Sequence, residues 1–480
     1  MSAPLRVLTL AAEAAPFVKI GGLGDVAGTL PAALRALPAP VDVRLVLPLH
    51  NAIDKTQYAL TPIASFTIAH ADGPIIAEVF QTTVKGTPVY LISGAPIAAS
   101  PTVYSLDASL DGSKFAFFSL AALELARTLN WRPHVLHAHD WHTSPALHAL
   151  SLRRARDEFF RSTSTLLTIH NLPYLGVGAG PSLNKFGLPP AQGSPLPKWA
   201  WNLPLPIGLL TADKINTVSQ GYAAEILTPE FGSGLNEFLK TRADSITGIL
   251  NGLDMEAWNP ETDAQIKTRF GLGEWDKRGR NKMALLQELN LDAAPKRPLL
   301  AMINRMDNQK GVDLVPNALR GIADRGWQAV ILGSGDPDLE DAARRLDDDF
   351  SNVRAIIRYD GALARRIYAG ADMLLIPSRY EPCGLTQMIA MRYGCVPVAR
   401  ATGGLRDTII DYHAKGQKNS TGFLFEAATP EALGQAIRRA LDIYQDKRRW
   451  HGLQRRGMKR NFSWRRSAEK YLALYEELVI

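Results

Sequence analysis

The chain has 480 residues, 46% hydrophobic and 21% charged, a balance that excludes a disordered polypeptide and calls for two or three domains. Its formal charge of +7 gathers largely at 447–466, which reads as a solvated helical face because no nucleic-acid recognition motif accompanies it. Two cysteines cannot build a disulfide framework or a four-thiolate metal site, and no apolar run is long enough to span a bilayer.

Short apolar runs alternate with helical spacing from end to end, the α/β pattern of doubly wound parallel sheets. Strands are predicted at 6–12, 42–47, 88–92, 135–138, 166–169 and 214–218, then at 299–304, 328–332, 353–359, 372–377, 396–399 and 422–425. The start of the chain enters the first strand by Arg6-Val7-Leu8 and carries no signal-peptide pattern, so a cytoplasmic protein is expected, or a plastid-like one if a transit peptide has been removed.

The first strand, read as ending at Glu13, leads into Lys19-Ile20-Gly21-Gly22-Leu23-Gly24-Asp25. Glycines let backbone approach a ligand, and a helix start offers N–H groups to phosphate. The spacing matches neither a P-loop nor a dinucleotide fingerprint. Further on, His137-Ala138-His139-Asp140-Trp141-His142 looks like a metal-ligand run, with His137 and His139 on one strand face. Trp141 interrupts the usual order, and a substrate-facing or packed strand end is the preferred reading. His170-Asn171 closes the next strand and enters a Gly- and Pro-rich stretch, 173–206, read as one long functional loop.

The segment 255–297 is polar and lacks a long apolar strand, which puts a linker near Asn259-Pro260. Arg305, Lys310 and Gly311 follow the next strand, and two cations on one strand-to-helix loop suit a diphosphate. After the apolar run 373–377 come Arg379-Tyr380-Glu381-Pro382-Cys383-Gly384-Leu385-Thr386-Gln387 and a helix over 385–393. Glu381 thus stands at the carboxyl end of a buried strand ahead of unpaired helix amides, where a sugar attached to a phosphate would be held. Cys383 is read as lining that turn and Cys395 as a core residue. Thr402-Gly403-Gly404-Leu405 makes a third glycine loop. The last helix, 463–478, has an apolar stripe of Trp464, Ala468, Tyr471, Tyr475 and Leu478, and must dock.

These runs, with Thr217-Val218-Ser219 and Leu250-Asn251-Gly252-Leu253-Asp254, resemble bacterial glycogen synthases and plant starch synthases in order and spacing over nearly the whole chain. The resemblance implies two Rossmann-like lobes facing across a deep cleft (GT-B): 1–255, 256–460, and a C-terminal helix in 461–480 packing back on the first lobe. It implies retaining transfer of glucose from ADP-glucose to the non-reducing end of an α-1,4-glucan, glycogen or malto-oligosaccharide. No metal, cofactor, nucleic acid or membrane is implied.

Carried onto this chain, Arg305 and Lys310 would hold the diphosphate, and the Thr402-Gly403-Gly404 loop would give amides to its distal phosphate. Glu381 would bond sugar hydroxyls, beside Cys383, Gly384 and Leu385 in the donor turn. His170 would lie by the reacting carbon, through the 6-hydroxyl and its own carbonyl. Lys19, Gly21, Gly22 and Asp25 would close on the donor, Asp140 and Asn251 would position it, and Tyr359 would stack on adenine.

Three departures stand out. Ile389 occupies the place of a second glutamate found in many retaining GT-B enzymes, as is usual for glycogen synthases. Asp111-Gly112-Ser113-Lys114-Phe115 is a trimmed form of a stretch in which acceptor contacts are expected, and Pro173-Tyr174-Leu175-Gly176 is atypical. Competing readings are use of UDP-glucose or of a small acceptor such as a sugar phosphate, a metal-dependent hydrolase built on 137–142, and a nucleotide-sugar-binding regulator without turnover.

Overall fold

Runs such as Leu374-Leu375-Ile376 have no polar face, so they are stable only as strands covered on both sides, and such strands form the centre of each half of the molecule. The computed structural model describes residues 4–412 and 417–479. The chain divides into two units, Met1–Gly252 with Trp464–Ile480, and Leu253–Ser463.

In the first unit the strands are β1 (Leu5–Leu10), β2 (Val41–Pro48), β3 (Thr61–Ile68), β4 (Ile75–Val84), β5 (Thr87–Ser93), β6 (Val135–His139), β7 (Ser164–Ile169), β8 (Lys214–Thr217) and β9 (Ile246–Gly248). They form one sheet in the order β3-β4-β5-β2-β1-β6-β7-β8-β9. All pairs from β5 to β9 are parallel, so these strands present their carboxyl ends along one edge. β3 and β4 pair antiparallel at the far side. Sequence periodicity missed these two, because their exposed alternate positions break the continuous apolar run that marks the other strands. β9 was missed as well, being only three residues long.

One face of this sheet is covered by the helix Ala108–Thr128, which buries Phe115, Phe117 and Phe118 completely. Each such side chain contributes about 1.5–3 kcal/mol relative to exposure. The other face carries Gly22–Arg35 and the final helix Trp464–Val479, which meet through Val26, Leu30, Leu34, Trp464, Ala468, Tyr471 and Tyr475. The stretch 173–206 is not one long loop. It contains the helix Gly180–Lys185, a 3-10 turn Lys198–Ala200 and the start of the helix Pro204–Thr211.

The second unit is built on β10 (Leu299–Ile303), β11 (Gln328–Gly333), β12 (Val353–Ile357), β13 (Met373–Ile376), β14 (Val396–Arg400) and β15 (Phe423–Phe425). Their order is β12-β11-β10-β13-β14-β15, all parallel. Asn259-Pro260, read as linker, lies inside this unit: Arg392 donates to Asn259 Oδ1 at 3.1 Å and Phe270 N to Pro260 O at 3.0 Å. The polar segment around it holds the helix Trp275–Glu288. Cys395 is buried in the core.

Candidate functional site

Along the carboxyl edge of the first sheet, the loop after β1 is organised by a residue that the sequence did not single out. Glu13 is 2% exposed, and its carboxylate accepts from Gly21 N at 3.1 and 3.2 Å and from Ile20 N. The amides of Ile20 and Gly21, just ahead of the helix that starts at Gly22, are therefore engaged by a side-chain anion. A negative charge there is favoured by the helix dipole. Burial raises the Glu13 carboxyl, while the bonds from Ile20, Gly21 and the Tyr104 hydroxyl oppose that rise. Lys19 and Asp25 form an exposed ion pair at 2.7 Å. Gly22 has open space where a side chain would stand.

Beside this loop, β6 and β7 deliver three histidines. His137 is saturated: Nδ1 lies 2.8 Å from the Tyr475 hydroxyl and Nε2 2.7 Å from Thr168 Oγ1. His139 Nδ1 meets His170 Nε2 at 2.9 Å. Asp140 opens the helix Asp140–Arg153 with φ +55°, a conformation rare for a residue with a Cβ, and its Oδ1 accepts from His170 N at 2.7 Å. Backbone strain here places a carboxylate under His170. Burial pushes the His137, His142 and His170 imidazoles down to about 3, so all three are neutral near pH 7. Burial raises Asp140 to about 7.

With both His137 nitrogens taken and His139 fully buried, the 137–142 run is a packed strand end. Among the described residues, no group of three or more His, Cys, Asp or Glu side chains is set to hold a metal ion. Asn251 is buried, with its Oδ1 unpaired among the described residues. The trimmed segment serves the interior: Lys114 is fully buried, pairs with Asp111 at 2.7 Å and donates to Val103 O at 2.8 Å.

On the carboxyl edge of the second sheet, Lys310 Nζ lies 2.9 and 2.7 Å from the two oxygens of Glu381, and Ser378 Oγ donates to the same carboxylate at 2.8 Å. Lys310 is held by Asp307, which accepts from its backbone N at 3.0 Å, and by Gly311 at φ +64°. A Cβ on Gly311 would lie 2.2 Å from Pro377 O, so only glycine lets this loop touch the 377–381 turn. Arg305 is largely exposed and pairs with Asp307 at 3.2 Å.

The third glycine loop packs directly on that turn. Gly404 N donates to Glu381 O at 2.9 Å, so its amide is used inside the protein and is not available to a phosphate as expected. A Cβ there would come within 1.9 Å of Cys383 O. Gln387 Nε2 ties the turn to the helix by donating to Cys383 O at 3.0 Å and Gly384 O at 2.8 Å. Gly384 has φ +71°, Leu385 caps the helix Thr386–Arg392, and Thr402 caps the helix Gly403–Thr408. Cys383 is 6% exposed. Tyr359 lies beyond the end of β12 and is 92% exposed, in no packed position of its own.

Comparison with known proteins accords with this geometry. Residues 6–241 match the family described as starch synthase catalytic domain, and 297–442 match glycosyl transferases group 1. The chain is 40% identical over 487 residues to a glycogen synthase of Anaeromyxobacter dehalogenans, covering 99% of both. It is also 40% identical over 482 residues to the glycogen synthase of Geotalea daltonii, covering 98% of both. Among solved structures, the catalytic domain of starch synthase IV from Arabidopsis thaliana, bound to ADP and acarbose, superposes with a TM-score of 0.90 at 32% identity, covering 99% of this chain and 100% of that one. Sucrose-phosphate synthase of Thermosynechococcus elongatus shares the fold, with a TM-score of 0.62 at 19% identity and 99% of each chain covered.

Proposed function

The chain belongs to the glycogen and starch synthase family of glycosyltransferases, acting on a nucleotide sugar and a glucan, and from that premise we propose that it transfers glucose from ADP-glucose to the non-reducing 4-hydroxyl of an α-1,4-glucan with retention of configuration. The observation that carries this reading is the Lys310–Glu381 pair beneath a glycine loop in the second unit. ADP as the leaving group is supported by the Arabidopsis relative, which was solved with ADP.

In the reaction the bond from the anomeric carbon to the donor phosphate breaks, and a bond to the acceptor 4-oxygen forms on the same face. The acceptor proton passes to the departing phosphate oxygen. The protein's task is then to meet negative charge growing on the diphosphate. Lys310, aimed by its contact with Glu381, and Arg305, exposed at the end of the preceding strand, are the groups for that task. With three acceptor sites occupied, Glu381 retains one lone pair, on Oε1, for a sugar hydroxyl. His170, neutral through burial, acts as a hydrogen-bond partner of the hexose rather than as a proton carrier. Lys19, Asp25 and the Gly21-Gly22 loop contact the donor, Asp140 and Asn251 fix its pose, and Tyr359 is the platform for adenine.

No step in this scheme routes through a metal ion. The cations of the helix Lys447–Met458 are read as a solvated face, and a cytoplasmic location suits such an enzyme. No helix among the described residues is long and apolar enough to cross a membrane. The test is nucleotide release from ADP-glucose and from UDP-glucose, each with and without malto-oligosaccharide. Glucan-dependent release of ADP supports the proposal. Faster release of UDP, or release that needs a sugar phosphate instead of glucan, replaces it with the corresponding alternative.

A further inference from the structure

The His139 imidazole has two nitrogens and one partner. Nδ1 faces His170 Nε2 at 2.9 Å, whereas Nε2 is buried without a hydrogen-bond partner among the described residues. The ring is fully buried, so solvent does not supply the missing partner. The residue's backbone N donates to Thr143 Oγ1 at 2.6 Å, and its ring lies against His137, centroids 4.2 Å apart. His137 is itself locked on both nitrogens by Tyr475 and Thr168.

Burial holds both rings of the His139–His170 pair neutral, with His170 pushed down to about 3 and His139 lowered as well. A neutral pair shares one proton across the contact, and two arrangements exist. In the first, His170 donates from Nε2. The remaining proton of His139 then sits on its own Nε2, as a buried N–H with no acceptor, a rarity in folded proteins. In the second, His139 donates from Nδ1 and leaves only a bare ring nitrogen orphaned. His170 then carries its proton on Nδ1, the nitrogen that makes no hydrogen bond among the described residues on a ring that is only half-buried. That tautomer is the reverse of the one free histidine prefers in water, so it requires a residue to impose it.

We propose that His139 is the positioning residue that fixes His170 in its Nδ1–H tautomer, turning the free edge of that ring into a hydrogen-bond donor for the substrate. The identity of the acceptor, a hydroxyl of the donor hexose, rests on the function proposed above; the tautomer does not. His139 touches no substrate in this account and acts wholly through His170.

The test uses the full chain with nitrogen-15-labelled histidine, read by two-bond nitrogen–proton correlation spectra, with the His170 signals assigned through His170→Ala. The expected spectrum shows His170 protonated at Nδ1 and bare at Nε2. His139→Asn, whose amide nitrogen falls near the place of Nδ1, keeps that pattern. His139→Leu returns His170 to the Nε2–H form and lowers kcat by about 10- to 100-fold, with little change in the KM for glucan. An Nε2–H signal for His170 in the unsubstituted protein overturns the proposal, whatever the enzyme's activity and whether or not the Leu variant folds. Equal kcat in the Leu and unsubstituted proteins overturns it too. An Nδ1–H signal in a protein that transfers no glucose supports the tautomer and refutes the proposed function instead.

Discussion

Lys310 and Glu381, 71 residues apart in the chain, form one charged unit in which Nζ sits 2.7 and 2.9 Å from the two carboxylate oxygens. Gly311 makes this contact possible by letting its loop rest against the carbonyl of Pro377. The two residues should therefore fail together. Lys310→Ala and Glu381→Gln are each expected to lower kcat by about 10²–10³, with far smaller effects on glucan binding. The double variant should be about as slow as the slower single, because groups in contact are not additive. Steady-state kinetics of the three variants check this. Multiplying losses, or equal losses in turnover and glucan affinity, would contradict a shared role at the diphosphate.

The glycine loops make a contrasting pair. A Cβ on Gly404 would lie 1.9 Å from Cys383 O, so Gly404→Ala must push apart the two loops that flank Glu381. Gly22 has nothing within 4 Å of a built Cβ, so Gly22→Ala should leave stability within about 0.5 kcal/mol of the parent. If the Lys19–Gly22 loop approaches the donor, Gly22→Ala raises the donor KM in a protein of unchanged melting temperature. An unchanged KM would remove this loop from the site.

Acid should destabilise this fold through its histidines. Burial pushes His50 down to about 4 and His137, His142 and His170 to about 3, against 6.5 as the ordinary value. Between those values the unfolded chain binds more protons than the folded one, so their contribution is full above pH 6.5 and is lost as pH falls toward 3. Asp140 has the opposite sign. Its carboxyl, raised from 3.8 to about 7 by burial, contributes below pH 3.8 and loses that contribution as pH rises through 7. Denaturation midpoints across this range should fall steeply on the acid side, and less so for His142→Phe, whose ring would sit among Tyr104, Phe115 and Trp141. Asp140→Asn should gain on the parent protein above pH 7. A profile flat from neutral pH down to 4 would contradict the buried neutral histidines.

Lys114 is fully buried against Asp111 and holds the backbone at Thr102 and Val103, next to the Tyr104 that reaches Glu13. Lys114→Met leaves a buried carboxylate unpaired and is expected to cost about 3–5 kcal/mol. Adding Asp111→Asn should return a large part of that loss. Urea denaturation of both variants measures it. A single variant as stable as the parent would show that the pair is not what organises this segment.

Much of this architecture was legible because parallel strands buried on both faces leave continuous apolar runs, and because glycine and charge at strand ends mark ligand edges. The β3–β4 hairpin escaped for the same reason: its half-exposed strands lack such runs, with Ile76 61% exposed. At the candidate site, residue types were readable but partnerships were not. Nothing local to His137 announces that Tyr475, 338 positions away, saturates it, which turns a metal-like run into a packed strand end. Glu13 likewise looks like an ordinary strand-end carboxylate until the chain folds its own helix start onto it. Gly404 was read as a phosphate-facing amide, and loop-to-loop packing with Glu381 uses that amide instead.

The most direct test of the central claim is incorporation of labelled glucose into glycogen from ADP-glucose and from UDP-glucose in parallel, with EDTA present. The account predicts strong incorporation from ADP-glucose, little from UDP-glucose, and no loss on chelation. Incorporation from neither donor, or activity abolished by EDTA, would contradict it.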